Sequence, residues 1–196
     1  MKNNALFIQR FAAFIVDMLL ITFIASLIAT PFTNASNAEK LQKQSSELVE
    51  KMLAGEIDQK TYMTEASVLT YEIDRNNGFY TITCLILGIL YFIIYQFYKG
   101  QTIGKKLFKI KIESNEGNLS MNQMVVRSLV IDMMLFDFIR FAFCMFAPKS
   151  SYFIGYSSVM IVEIIVMTFC GFMVMFRKDR RGLHDIICNT KVVNVK

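Results

Sequence analysis

Apolar residues along this chain are gathered into four long blocks. They cover residues 11–32, 79–98, 124–146 and 152–176. An α-helix needs about 20 consecutive apolar residues to cross the hydrocarbon core of a bilayer. The pattern therefore predicts an all-α membrane protein with four transmembrane helices, and the mean hydropathy of +0.41 agrees with that class.

The blocks differ in the charges they carry. The second block has no charged residue and the fourth has only Glu163, whereas the block at 124–146 contains Arg127, Asp132, Asp137 and Arg140. Charged side chains in a membrane helix are rarely left facing lipid. We therefore expect block 124–146 either to turn its charges into the helix bundle or to lie in the membrane interface.

A cleaved signal peptide is the competing interpretation of the first block. The apolar core of a signal peptide is typically about 7–15 residues long. Block 11–32 is longer and contains Asp17. These two features favour a transmembrane helix.

The polar segment at 33–78 predicts a helical hairpin. Leu41, Leu48 and Met52 have the spacing of an amphipathic helix, residues 55–58 read as a turn, and a second helix is expected from 59 to about 73. This hairpin is expected to pack on itself, to lie near the membrane surface or to contact a partner.

The remaining polar segments, 99–123 and 177–196, predict a small β element. Apolar residues alternate with lysines at 106–112, the typical spacing of a strand, and a turn signal follows at 115–118. A second strand is expected at 190–195. We predict that the two strands pair on the inner side of the membrane.

Charge distribution predicts the orientation. The formal net charge is +5, but residues 33–77 are net acidic, whereas 99–127 and 177–196 are each rich in Lys and Arg. Short loops rich in Lys and Arg remain cytoplasmic. We therefore predict a multi-pass protein of the cell membrane, with both termini cytoplasmic and the hairpin extracytoplasmic. Its basic residues follow membrane topology and do not indicate nucleic-acid binding.

The cysteines do not suggest a disulfide framework or a metal site. Cys84, Cys144 and Cys170 lie in the apolar blocks and Cys188 in the last segment, and their spacings match no metal-binding pattern. The chain has a single histidine, His184. We predict no metal and no cofactor.

Three separated segments, 9–17, 100–112 and 181–193, carry a recognisable set of residues. The set is Arg10, Asp17, Gly100, Gly104, Lys105, His184 and Asp185, together with Arg127, which follows the second segment in the next block. In these segments the chain resembles the RDD family of bacterial membrane proteins. The resemblance implies one multi-span domain over 1–196 in the cytoplasmic membrane. A role in transport has been suggested for the family, with cation/proton antiport reported for some members, but the resemblance does not assign an activity.

Arg10 and Asp17 are the first candidate site. Seven residues make about two helical turns, so both side chains share one face. One interpretation is an internal ion pair or polar cluster that fixes helix packing. The other is an ion site, in which a nearby guanidinium tunes the occupancy of the carboxylate by a proton or a cation.

Glu163 and the charges of the third block are the other ion or substrate candidates. Glu163 lies near the middle of its block, where it is expected to serve as a neutral hydrogen-bond donor or as a proton carrier unless an arginine reaches it. Asp132, Asp137 and Arg140 fall on one side of a helix, and the last two can pair directly.

No enzyme is predicted. Gly100 to Lys105 is one residue too short for a phosphate-binding loop and lacks the following Ser or Thr. His184 and Asp185 are adjacent, so their side chains are expected to diverge. His184 is predicted to be structural, and Arg127 to be an anchor at the membrane interface.

The sequence therefore leaves two functions open. The first is transport of a cation or a proton-coupled solute through buried carboxylates, in which a homodimer would supply a pathway that one small bundle lacks. The second is a non-catalytic accessory or assembly subunit that holds a membrane-protein partner. The lipid bilayer is the partner expected in either case.

Overall fold

The computed structural model describes residues 4–132 and 134–195. Its elements in chain order are α1 (Phe7–Ala29), a 3₁₀ turn (Thr30–Phe32), α2 (Ala35–Leu53), α3 (Gln59–Asn76), α4 (Gly78–Gly88), a π-helical segment (Ile89–Tyr95), α5 (Gln96–Lys99), α6 (Ile103–Leu107), β1 (Ile110–Ser114), α7 (Met121–Ile131), α8 (Met134–Phe146), a 3₁₀ turn (Lys149–Ser151), α9 (Tyr152–Phe176), α10 (Leu183–Ile187) and β2 (Thr190–Asn194).

Three helices are long and apolar enough to cross a membrane. They cover Phe7–Phe32, Gly78–Lys99 and Lys149–Phe176. Only 22%, 17% and 17% of their most apolar windows, respectively, are buried inside the bundle. They correspond to the first, second and fourth predicted blocks.

The third predicted block is divided between two helices of 11 and 13 residues, each shorter than the about 20 residues that cross a bilayer. Its residues form α7 and α8, which are separated at Asp132, where the backbone leaves helical geometry at ψ 17°. Asp132 is buried. The helical spacing of residues in the sequence continues across Asp132, so periodicity could not reveal the break.

The two halves of the broken helix contact opposite ends of the molecule. Helix α7 packs against α10, close to the sheet, whereas α8 packs against α3 and α9. We call these two ends the sheet end, formed by α6, α10, β1 and β2, and the hairpin end, formed by α2 and α3.

The helical hairpin is confirmed. Asn34 and Asp58 cap α2 and α3 by accepting hydrogen bonds from backbone N–H groups three residues later, and Leu41 and Leu48 are buried between the two helices. The hairpin is anchored at the start of α9, where the backbone N–H of Phe153 donates to Ser67 Oγ at 2.9 Å.

The β element is also confirmed. β1 and β2 pair in antiparallel register, from Ile110 opposite Asn194 to Ser114 opposite Thr190. The first two residues of the predicted 106–112 strand belong instead to α6. That short helix forms because Thr102 Oγ1 accepts a hydrogen bond from the Lys105 backbone at 3.2 Å.

The sheet is held tightly against the start of α1. Ile110, Ile112 and Val192 form a buried cluster with Ala13 and Met124. This packing places the loop before β1 and the segment before β2 directly beside α1, and so positions the candidate site.

Candidate functional site

Asp17 is the centre of a fully satisfied carboxylate site in α1. Tyr91 donates to Oδ1 at 2.5 Å, Thr102 to Oδ2 at 2.5 Å, and the backbone N–H of Gly104 to Oδ1 at 2.7 Å. Asp17 is 1% exposed. Hydrogen bonds to a carboxylate stabilise its charged form, which makes this burial tolerable without a contacting cation.

Gly104 can occupy this position only because it lacks a side chain. A Cβ there would lie 2.2 Å from the carbonyl oxygen of Ala13 and 2.8 Å from Asp17 Oδ1. Gly104 therefore allows α6 to pack closely against α1 and its own backbone N–H to bind Asp17. This role differs from phosphate binding.

Arg10 pairs with Asp185, so the predicted pair of Arg10 and Asp17 is wrong. Arg10 donates to Asp185 Oδ2 at 2.6 Å and to the carbonyl oxygen of Arg180, also at 2.6 Å. The two residues share a face of α1, as the spacing required. However, the last segment of the chain returns to α1 and supplies a carboxylate that sequence spacing could not reveal.

Arg127 completes this cluster from α7. It donates to Asp185 Oδ1 and, at 3.0 Å, to Thr190. Arg127 is 3% exposed, so its guanidinium is held among protein groups. Burial alone would raise the pKa of Asp185, but the positive charges of Arg127 and Arg10 outweigh it and hold that pKa well below its ordinary value.

The cluster brings together the residues that define a family. Its Arg10–Asp185 pair and the separate Asp17 site tie the first, second and last motif segments into one structure. The RDD family model matches residues 4–189. The chain belongs to the RDD family. No curated protein and no solved structure matched it.

His184 also lies in this RDD cluster. Its Nε2 is 3.5 Å from Asp185 Oδ1, so the expectation that the two side chains diverge is wrong. Asp185 turns back because Oδ2 accepts from the backbone N–H of Gly182 at 3.1 Å. Burial lowers the pKa of His184 to about 3, so its imidazole is neutral near pH 7.

Lys105 is a half-buried cation whose charge interacts with Asp132 and Asp17. Its amine donates to Gln96, which is itself fully buried. Burial lowers the pKa of Lys105 to about 8, although the negative charges of Asp132 and Asp17 oppose the shift. Its charge therefore changes within the physiological range.

Three adjoining cavities lie between the helices. The first, of about 440 Å³, is at the sheet end and reaches Asp17, Lys105 and Asp132. The middle cavity, of about 230 Å³, is lined by Asp132 and Asp137. The third, of about 380 Å³, is at the hairpin end and is lined by Asp137 and Arg140. Asp132 and Asp137 therefore each border two cavities.

The hairpin end has a second ionic cluster. Arg140 contacts Asp137, as predicted, and also Glu163 on α9. We expected Glu163 to be neutral unless an arginine reaches it, and Arg140 does reach it. Oε1 of Glu163 is buried without a hydrogen-bond partner among the described residues. Asp132 is not part of this cluster because the helix break separates it from Asp137.

Several functional neighbours carry no signal in the sequence. Tyr91 and Gln96 lie in an apolar block that looked uniformly lipid-facing, and Thr190 lies in a strand. A weak signal existed for Thr102, because a Thr directly before a helix is a frequent N-cap. Gly100 is placed apart from the site and ends α5 in the left-handed conformation, at φ 73°.

Proposed function

We propose that this RDD protein moves a small cation or a proton across the membrane along its buried carboxylates. The observation that supports this most strongly is the series of three cavities that share Asp132 and Asp137 as lining residues. Together the cavities extend from the sheet end to the hairpin end. Ionisable residues buried among membrane helices commonly mark ion or proton paths.

Asp132 is the proposed central binding residue. It is 5% exposed, and its Oδ2 has no hydrogen-bond partner among the described residues. It also lies at the break between α7 and α8, where irregular backbone is tolerated if it lines a cavity. A carboxylate with a free oxygen at this place can accept a cation or a proton.

We propose that the ammonium group of Lys105 competes with an entering cation for the negative charge of Asp132. It interacts with both Asp132 and Asp17, and its pKa of about 8 allows it to lose a proton near neutral pH. A cation that enters beside Asp132 favours the neutral amine by repulsion. Binding of the cation and release of the proton are thereby linked.

We further propose that Met121 to Phe146 crosses the membrane as a broken helix, which gives four crossings and cytoplasmic termini in the cell membrane. The contacts of α7 with α10 and of α8 with α3 support the crossing, and the basic residues of 99–127 and 177–196 support the orientation. Single cysteines introduced for Ser46 and Asn115 test it. An impermeant reagent applied outside should label the first and spare the second. The reverse pattern contradicts the topology.

Ion flux in proteoliposomes tests the transport proposal. Purified protein should dissipate an imposed pH gradient when Na⁺ or K⁺ is supplied on the opposite side, and Asp132→Asn should abolish this flux. Glu47→Gln, at an exposed hairpin position outside the three cavities, is the matched control and should retain it. Absence of flux from wild-type protein with either cation, or unchanged flux in Asp132→Asn, contradicts the proposal.

A further inference from the structure

The cavity at the sheet end has features that ion transport does not require. It is bordered on one side by Phe7, Phe11 and Phe14 of α1 and on the other by Met167, Phe172 and Met175 of α9. Helix α1 packs far more extensively against α4 and α6 than against α9. The cavity therefore lies in a thinly packed gap between two membrane helices, with apolar walls.

The polar side of the same cavity carries unsatisfied groups. Arg10 Nε, Arg127 Nε and His184 Nδ1 are buried without a hydrogen-bond partner among the described residues, and all three residues line the cavity. Arg127 and His184 are each 3% exposed. The two guanidinium Nε–H groups are buried donors without a partner, which is costly, so an acceptor from a ligand is expected beside them.

The unpartnered guanidinium N–H groups favour an anion at this polar side. Both oxygens of Asp185 accept from arginine, and both oxygens of Asp17 accept from neutral donors, so neither carboxylate presents an unused oxygen. Asp132 retains one free oxygen and can accept from a hydroxyl group. The guanidinium groups thus remain the principal unsatisfied partners, and phosphate oxygens suit them well.

The position along the helices fits a membrane lipid. Arg10 lies in the first turn of α1, and His184 lies in α10, eight residues after the end of α9, so the polar side is at the end of the membrane-crossing segments. Lipid phosphates lie at that level, and basic pockets between membrane helices bind anionic headgroups. The apolar walls then face the acyl chains.

We propose that this cavity holds one anionic phospholipid, whose phosphate lies beside Arg10 and Arg127 and whose acyl chain fills the gap between α1 and α9. The inference does not depend on transport, because it concerns occupancy of the gap and not movement through the bundle. The ligand chemistry is a phosphate ester attached to an acyl chain.

Lipid retention by purified protein tests the proposal. Protein in mild detergent is incubated with phosphatidylglycerol, phosphatidylcholine or glycerol phosphate, and bound lipid is counted by native mass spectrometry alongside melting temperature. Phosphatidylglycerol should bind one per chain and raise the melting temperature. Equal binding of phosphatidylcholine overturns the anionic headgroup, and equal stabilisation by glycerol phosphate, which has no acyl chain, overturns the lipid.

A cavity-filling variant tests the location. A Cβ at Gly171 would lie 3.3 Å from the ring of Phe7, so Gly171→Phe fills the gap without altering either arginine. Its affinity for phosphatidylglycerol should fall about tenfold or more, a difference of roughly 1.4 kcal/mol. Ile165→Phe, on a 61% exposed position of the same helix, is the control and should bind as wild type. Equal binding by both variants contradicts the location.

A charge variant keeps the test valid if Gly171→Phe does not fold. Thr168 is an exposed residue on the α9 side of the cavity. Thr168→Glu should weaken phosphatidylglycerol binding by repulsion, whereas the uncharged Thr168→Gln, of nearly the same shape, should retain it. The same affinity in both variants overturns the assignment of the phosphate to this cavity.

Discussion

The two ionic clusters of this protein are built in contrasting ways. At the sheet end, Asp17 and Asp185 are bound by donors from α1, the π-helical segment, α6, α7 and the backbone before α10. At the hairpin end, the ion pairs of Arg140 with Asp137 and Glu163 connect α8 with α9. The first cluster ties distant parts of the chain together, and the second connects neighbouring helices.

The contrast indicates a structural role for the carboxylates of the sheet end, and the capacity to bind a further ligand for Asp132 and Glu163. Every oxygen of Asp17 and Asp185 has a partner, so each carboxylate has little freedom to accept a new ligand. Glu163 and Asp132 each retain a buried oxygen without a partner among the described residues. We therefore expect substitutions at the sheet end to reduce folding, and substitutions at Asp132 and the hairpin end to affect transport more than folding.

The largest effect is expected for Asp185→Asn. The change leaves Arg10 and Arg127 buried with no carboxylate, and breaking a buried pair in this way costs about 3–5 kcal/mol. The purified protein should be unstable or fail to fold, as measured by yield and melting temperature. Asp179→Asn, at an exposed pair with Arg177, is the control and should change stability by less than about 1 kcal/mol. Similar melting temperatures for the two variants would contradict the structural role of Asp185.

A smaller but clear loss is expected for Gly104→Ala. The new methyl group would collide with the Ala13 carbonyl and displace Asp17, and overpacking of this kind typically costs about 1–3 kcal/mol. A lower melting temperature should report it. Gly78→Ala is the matched control because nothing lies within 4 Å of a Cβ there. Equal stability of both variants would mean that α6 does not pack against α1 as described.

At the hairpin end, Glu163→Gln should have a modest effect on stability. Arg140 keeps Asp137 as a partner, so the loss is expected to be about 1–2 kcal/mol in thermal unfolding. Glu72→Gln, in the exposed pair with Lys149, should cost about 0–1 kcal/mol. A loss as large as that of Asp185→Asn would contradict the capacity of Glu163 to bind a further ligand. If Glu163 carries protons, the variant should also lose the pH dependence of flux.

Near neutral pH, the smallest effect is a pH dependence from His184. Its pKa is lowered to about 3 in the folded protein, against about 6.5 when unfolded, so the unfolded state binds more protons between these values. Its contribution is therefore intact above pH 6.5 and is lost as the pH falls, by up to about 1.4 kcal/mol per unit. The melting temperature of wild type should fall more steeply below pH 6 than that of His184→Gln. Parallel curves would contradict a neutral, buried imidazole.

The sequence predicted elements whose signals are local. The hairpin followed from helical spacing around Leu41 and Leu48, and the strands followed from alternation near Ile110 and Ile112. The family residues were also identified from short motifs. Each of these signals depends on neighbours within one or two turns, which is the range over which periodicity acts.

Partners across the fold could not be predicted in this way. Arg10 and Asp185 are 175 positions apart, and only the return of the last segment to α1 brings them into contact. The break at Asp132 was hidden because an apolar block with scattered charges has the same composition whether it is straight or broken. The cavities depend on both features.

The central claim is that ions pass through the middle cavity, and the native Cys84 in that cavity tests it most directly. A protein with Cys84 as its sole cysteine is reconstituted and treated with a small, positively charged thiol reagent, and flux is compared before and after full modification. The account predicts that modification of Cys84 abolishes flux, whereas a variant with Cys84→Ser is insensitive. Complete modification of Cys84 with unchanged flux would contradict the account.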